Sequence, residues 1–175
     1  MLRPFLGAIC ASLIGLILAA PAGAVPDHHL DVHLEHLEHL ELFQRLERLE
    51  PFTLVWPADG TMTDGYGTRW GRMHLGIDVG ILTSLDVRAA TSGTVTAVGW
   101  LTGYEGYGNV VMVDAGRGYS VLYAHLSFAH VVPGQWLAAG EPIGEAGCTG
   151  SCTGTHLHFE LRLNGVPIDP APFMR

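Results

Sequence analysis

The chain has 175 residues, 48% of them apolar, which suffices for one globular domain with appendages. It contains no lysine, and its net charge of −8 argues against nucleic acid as a partner, since that calls for a basic patch. The acidity is uneven: between Asp27 and Glu50 seven acids stand against two arginines, and from Pro51 on the chain is only mildly acidic.

In chain order, the first segment is a targeting signal. Arg3 supplies a positive start, Phe5 to Ala20 is an uncharged run of 16 residues, and Ala22-Gly23-Ala24 is a cleavage site of the A-x-A type. The run is shorter than the roughly 20 residues that span a bilayer, so residues 1–24 read as a cleaved signal peptide, with an uncleaved anchor as the alternative. Cys10 follows Ile9 and lacks the small residue of a lipoprotein signal. The mature chain is expected in the periplasm or outside the cell, without membrane contact after cleavage.

Residues 25–51 form the second segment. His28 to Glu50 is rich in Leu, Glu and Arg, lacks Gly and Pro, and stops at Pro51, which predicts a helix. His-Leu-Glu repeats at 33–35, 36–38 and 39–41. A period of three advances a helix by about 300°, so the leucines drift around the axis and form no coiled-coil seam. Beyond a solvated, low-complexity helix, the segment is a candidate regulatory appendage that meets a partner, and pairs such as His36 and His39 are candidate metal binders.

From Phe52 to Arg175 the texture is β. Strands are predicted at Phe52–Trp56, Gly93–Val98, Asn109–Asp114, Tyr119–Leu126 and His156–Leu163, with a hairpin across Asp114 to Tyr119. The fold class is therefore mainly antiparallel β, preceded by a short N-terminal helix. Cys148 and Cys152 lie in a turn-like stretch. Outside the cytoplasm such a pair is expected to close a disulfide, with two thiols on zinc as the alternative.

Three stretches carry chemistry. In Thr155-His156-Leu157-His158-Phe159-Glu160, strand geometry puts His156, His158 and Glu160 on one face and Leu157 and Phe159 on the other. In His74-Leu75-Gly76-Ile77-Asp78, a straight strand would hold the two polar groups about 13 Å apart, so joint binding of one ion requires a bend, which Gly76 permits. In Tyr119 to Ser127, period two places Tyr119, Val121, Tyr123 and His125 on one face, and a histidine at the end of such a strand can lean over a cleft. Each motif alone is compatible with an ordinary polar surface. Which histidine of the 156/158 pair would bind metal stays open on this reading.

Together, His-x-x-x-Asp, Tyr-x-His-Leu-Ser and His-x-His in this order resemble the lysostaphin-type (LytM) zinc metallopeptidases, which cut peptide bonds in bacterial peptidoglycan. Supporting matches include Gly65-Tyr66-Gly67-Thr68-Arg69, Gly108-Asn109-Val110-Val111 and the closing Asn164 to Pro170. The resemblance covers about residues 52–172. It implies one zinc ion per chain on His74, Asp78 and His158, with His125 and His156 as the two catalytic, non-ligand histidines and peptidoglycan as the partner. The implied function is an exported endopeptidase acting on stem-peptide cross-links; the alternative is a non-catalytic LytM-like module that activates another cell-wall hydrolase. The chain departs from the family at Cys148 and Cys152, where serines are usual, and at Thr155, where proline is common. Glu160 is a candidate support for a ligand histidine or a partner for a nearby arginine. Arg69, Arg72 and Arg162 are candidates for meeting substrate carboxylates.

Overall fold

The computed structural model describes residues 36, 37, 39–42 and 51–175. The expected signal peptide and most of the expected helix lie outside the described residues. The chain divides into two compact units, Met1–Glu47 and Arg48–Arg175. In the first, residues 36, 37 and 39–42 are helical and exposed, His36 and His39 among them. Among the described residues no helix is long and apolar enough to cross a membrane.

The second unit is built from thirteen short strands among the described residues. They are β1 (Thr61–Asp64), β2 (Gly67–Arg69), β3 (Arg72–His74), β4 (Ile77–Gly80), β5 (Asp86–Arg88), β6 (Gly93–Trp100) and β7 (Asn109–Gly116). There follow β8 (Tyr119–Ala124), β9 (Leu126–Ala129), β10 (Trp136–Leu137), β11 (Pro142–Ala146), β12 (Leu157–Leu163) and β13 (Val166–Ile168). The large sheet runs β1-β4-β12-β8-β7-β6-β10, with β13 on β12; β5-β11-β9 form a small sheet and β2-β3 a hairpin. All the strand pairs are antiparallel. The expected fold class is what the chain adopts.

Alternation fixes which face each strand buries. Leu157, Phe159 and Leu161 are fully buried in the main core, together with Val79, Val111 and Tyr123 of the large sheet and Val87, Leu126 and Ile143 of the small one. His158 and Glu160 therefore lie on the opposite face of β12. Cross-strand partners share a face, and there His158 sits beside Asp78 and Ala124, and Glu160 beside Leu122. A second apolar cluster covers this face, with Leu122, Val110 and Ala124 packed under Tyr104 and Tyr107.

Two sequence expectations need correction. Phe52–Trp56 forms no strand. Leu54 N–H donates to Phe173 O and Val55 N–H to Ala90 O, so neighbouring residues bond two different segments and no ladder develops. The strand expected through Leu126 breaks one residue earlier. His125 has φ 60°, and there the chain leaves β8 in the large sheet and enters β9 in the small one. His125 thus leaves the row of Tyr119, Val121 and Tyr123. Had the strand run straight, its ring would have followed Tyr123 into the core.

Candidate active site

The bend required between His74 and Asp78 is present. β3 ends at His74 and β4 starts at Ile77, with Gly76 in the connection. Any side chain at Gly76 would run into the Phe159 carbonyl of β12, so the close approach of this bend to the central strand demands glycine. His74 Nε2 consequently lies 3.1 Å from Asp78 Oδ1. Register supplies the third group: Asp78 and His158 are direct cross-strand partners, with His158 Nδ1 2.8 Å from Asp78 Oδ1 and 3.0 Å from His74 Nε2. All three residues are buried.

The far side of each ring decides what the near side offers. His74 Nδ1–H donates to Gly65 O at 2.6 Å, which leaves Nε2 as a bare lone pair. His158 Nε2–H donates to Glu160 Oε1 at 3.2 Å, which does the same for Nδ1. Asp78 Oδ1 is an acceptor as well. Three acceptors aimed at one point are repulsive unless a cation lies between them, and two imidazoles with one carboxylate suit zinc with a position left open. Without an ion a proton is the poorer substitute. Burial alone would lower the His158 pKa, but Asp78 and Glu160 outweigh it and raise it. Burial likewise opposes ionisation of Asp78, yet the hydrogen bond from His158 and the neighbouring imidazoles hold its pKa at about 2. Arg69 Nη1 approaches the other Asp78 oxygen at 3.2 Å and is also paired with Asp64.

Glu160 is fully buried and fully engaged. Oε1 accepts from His158 and, at 2.5 Å, from the Tyr107 hydroxyl; Oε2 accepts from Arg162 at 2.8 and 2.7 Å. Arg162 Nη1 donates in turn to the Tyr104 hydroxyl at 2.7 Å. Both roles foreseen for Glu160 are thus filled at once. Burial tends to raise its pKa, but His158, Tyr107 and Arg162 together lower it. Burial and Glu160 push the Tyr107 phenol well above its ordinary range, so it stays a donor. Arg69 and Arg162 are committed to carboxylates of the protein itself. Sequence reasoning missed Tyr104 and Tyr107; their signal was the glycine-rich turn Gly103-Tyr104-Glu105-Gly106-Tyr107-Gly108 between two strands.

His125 and His156 line the same cleft, with ring centroids 4.8 Å apart and His156 Nε2 3.8 Å from Asp78 Oδ1. Burial lowers the His125 pKa, and the neighbouring His156 and His158 lower it further against a hydrogen bond to Thr149 O. The cleft has a volume of about 670 Å³. Trp70 and Ile81 stand on its lip, 91% and 76% exposed. Both have positive φ, a sterically costly state for a β-branched residue such as Ile81. All five residues expected from the motifs are therefore brought together. His130 is not among them; it sits 3.8 Å from Glu145 at an exposed position.

An antiparallel sheet that presents two histidines and an aspartate to one point in an open cleft makes a possible metal-binding site. The chain belongs to peptidase family M23, the lysostaphin-type family, whose model matches residues 72–170. It is 43% identical over 99 residues to the DD-carboxypeptidase/endopeptidase Mpg of Neisseria meningitidis serogroup B, covering 57% of this chain and 22% of that protein. It is 34% identical over 125 residues to the murein hydrolase activator EnvC of Escherichia coli, covering 68% of this chain and 28% of EnvC. A crystal structure of a zinc-containing peptidase from Vibrio cholerae superposes with TM-score 0.58 and 29% identity, covering 69% of this chain and 39% of that one. The chain thus spans between a fifth and two fifths of the length of these relatives, which include both peptidases and an activator.

Proposed function

We propose that this chain is an exported zinc-dependent endopeptidase that hydrolyses stem-peptide cross-links in bacterial peptidoglycan. The observation that carries the reading is the convergence of three bare ligand atoms, two histidines and one carboxylate, beside two further histidines in one open cleft. His74, Asp78 and His158 would hold one zinc ion. Bound there, it would supply Lewis acidity toward a peptide carbonyl and make water a usable nucleophile near neutral pH. One of His125 and His156 takes the proton of the attacking water; the other stabilises the developing oxyanion or protonates the leaving amine. Arg69 balances the charge of Asp78 and holds its second oxygen. The segment of residues 25–51 is a docking or regulatory appendage outside this machinery.

Mass spectrometry of the peptides released from defined peptidoglycans tests the reading. Zinc-loaded protein is expected to release cross-link cleavage products, and zinc-stripped protein none. Undiminished release after rigorous zinc removal would end the metallopeptidase assignment. The similarity to EnvC supports a second reading, activation of another hydrolase. No release by the zinc-loaded protein, with stimulated release by an added cell-wall hydrolase, would favour it.

A further inference from the structure

The connection between β11 and β12 holds the two non-ligand histidines from behind. Cys148 and Cys152 are joined by a disulfide, as expected from the sequence, with Cα atoms 5.3 Å apart. The ring they close contains Thr149, whose carbonyl oxygen accepts a hydrogen bond from His125 Nδ1 at 2.8 Å. Just past the ring, Gly154 O accepts from His156 Nδ1 at 2.7 Å, and Cys152 Sγ lies 3.7 Å from that same nitrogen. Each histidine thus carries its proton on Nδ1 and keeps Nε2 free for chemistry in the cleft.

The ring is fastened on its other side too. Thr149 Oγ1 donates to Leu126 O at 2.9 Å and accepts from Asn109 N–H at 3.0 Å, while Ser151 N–H donates to Gly106 O at 2.8 Å. Gly108 and Gly150, both at positive φ, let the two loops touch so closely that a Cβ on either would strike the other loop's backbone. His74, Asp78 and His158 are held differently, by strand register, Gly65 and Glu160.

We propose that the Cys148–Cys152 disulfide is a redox-controlled positioning element for His125 and His156, through which a dithiol reductant switches off hydrolysis and leaves the metal in place. The inference rests on the hydrolase reading above. A reductant thiolate attacks Sγ of Cys148, an exposed residue, the S–S bond breaks, and Cys152 Sγ leaves with the electron pair and takes up a proton. The second thiol of the reductant then displaces Cys148. Two electrons and two protons have passed to the protein, and the reductant ends as its own disulfide. The freed Cys152 competes with Gly154 O for the His156 proton, and the Thr149 carbonyl loses its covalent restraint.

The test compares the zinc-loaded full chain before and after reduction by dithiothreitol, which is then removed, and after reoxidation. Metal content, release of peptides from peptidoglycan, and the ring-nitrogen NMR signals of the histidines are measured together. Reduction is expected to lower turnover about tenfold to a hundredfold, the scale of an ångström-level misplacement. Zinc content and the His74 and His158 signals should stay unchanged while the His125 and His156 signals depart from the Nδ1–H form, and reoxidation should restore both. The double variant C148S/C152S should behave like reduced protein. Unchanged turnover with unchanged His125 and His156 signals in an active chain overturns the switch alone; loss of zinc together with turnover makes the ring merely structural and overturns it equally. An oxidised, zinc-loaded chain that releases nothing overturns the hydrolase reading and the switch with it.

Discussion

Replacing Glu160 isolates how far a buried carboxylate governs ion binding at the proposed ligand His158, two residues away. In Glu160→Gln the amide oxygen still accepts from His158 Nε2–H and Tyr107, but as a neutral acceptor, about half as strong as a carboxylate. The amide NH₂ is then left facing Arg162, donor against donor. The Arg162 side chain is 11% exposed and that of Glu160 0%, so this is a buried pair, and removing its anion is expected to cost about 3 kcal/mol of stability. Losing the charged support of a ligand histidine typically weakens metal binding about 10- to 100-fold, with Gln expected at the lower end and Glu160→Ala at the upper. Competition titration of zinc against a chromophoric chelator near neutral pH gives the affinity, and thermal unfolding of the metal-free protein gives the stability. Linkage adds a second signature. The folded-state pKa of Glu160 is depressed, so its contribution is present above the unfolded value of about 4.5 and is lost as pH falls through the lower folded value. The Gln variant should lack that part of the acid dependence. A zinc affinity within about twofold of wild type, alongside the full stability loss, would refute the argument and leave Glu160 as no more than the counter-ion of Arg162.

The other predictions are briefer. His158→Ala and Asp78→Ala should lose zinc and activity together, whereas His125→Ala keeps zinc and loses activity by about 10²- to 10⁴-fold; zinc retained by the first pair would reverse the assignment. Because burial and neighbouring imidazoles depress the His125 pKa, the NMR titration of its ring should have a midpoint below pH 6.5, and a midpoint above pH 6.5 would contradict this. Trp70→Ala should raise KM about tenfold at unchanged zinc content, the loss expected from burying part of an indole against substrate; an unchanged KM would remove Trp70 from the substrate path. A chain beginning at Glu50 should fold, bind zinc and retain hydrolysis. An insoluble or metal-free product would make the preceding segment part of the catalytic domain.

How far the site could be read in advance depended on whether local geometry alone settles the matter. The alternation Leu157/Phe159 against His158/Glu160 is a property of one strand, and it survives into the fold unchanged. The bend at Gly76 was likewise implied by two groups too far apart on a straight strand. Period two puts His125 in the row of Tyr123, yet it reaches the cleft by a backbone turn at φ 60°, which no side-chain periodicity encodes. The Glu160 network was out of reach, because its partners Tyr107 and Tyr104 lie 53 and 58 residues before the carboxylate and the arginine they bond. For the same reason the role of Arg162 was invisible; it is set by long-range packing that brings Arg162 under Tyr104.

The pairing of β4 with β12 also bears on how the domain comes to be assembled. Asp78 and His158 are 80 residues apart in sequence yet adjacent in the sheet. Closing so long a loop is entropically costly and slow, so the proposed ion-binding set cannot exist until the most non-local contact of the sheet has formed. An ion that binds only the finished sheet stabilises the native state by mass action without guiding the early steps. Zinc should therefore slow unfolding far more than it speeds folding, and its capture serves as a late clock on maturation.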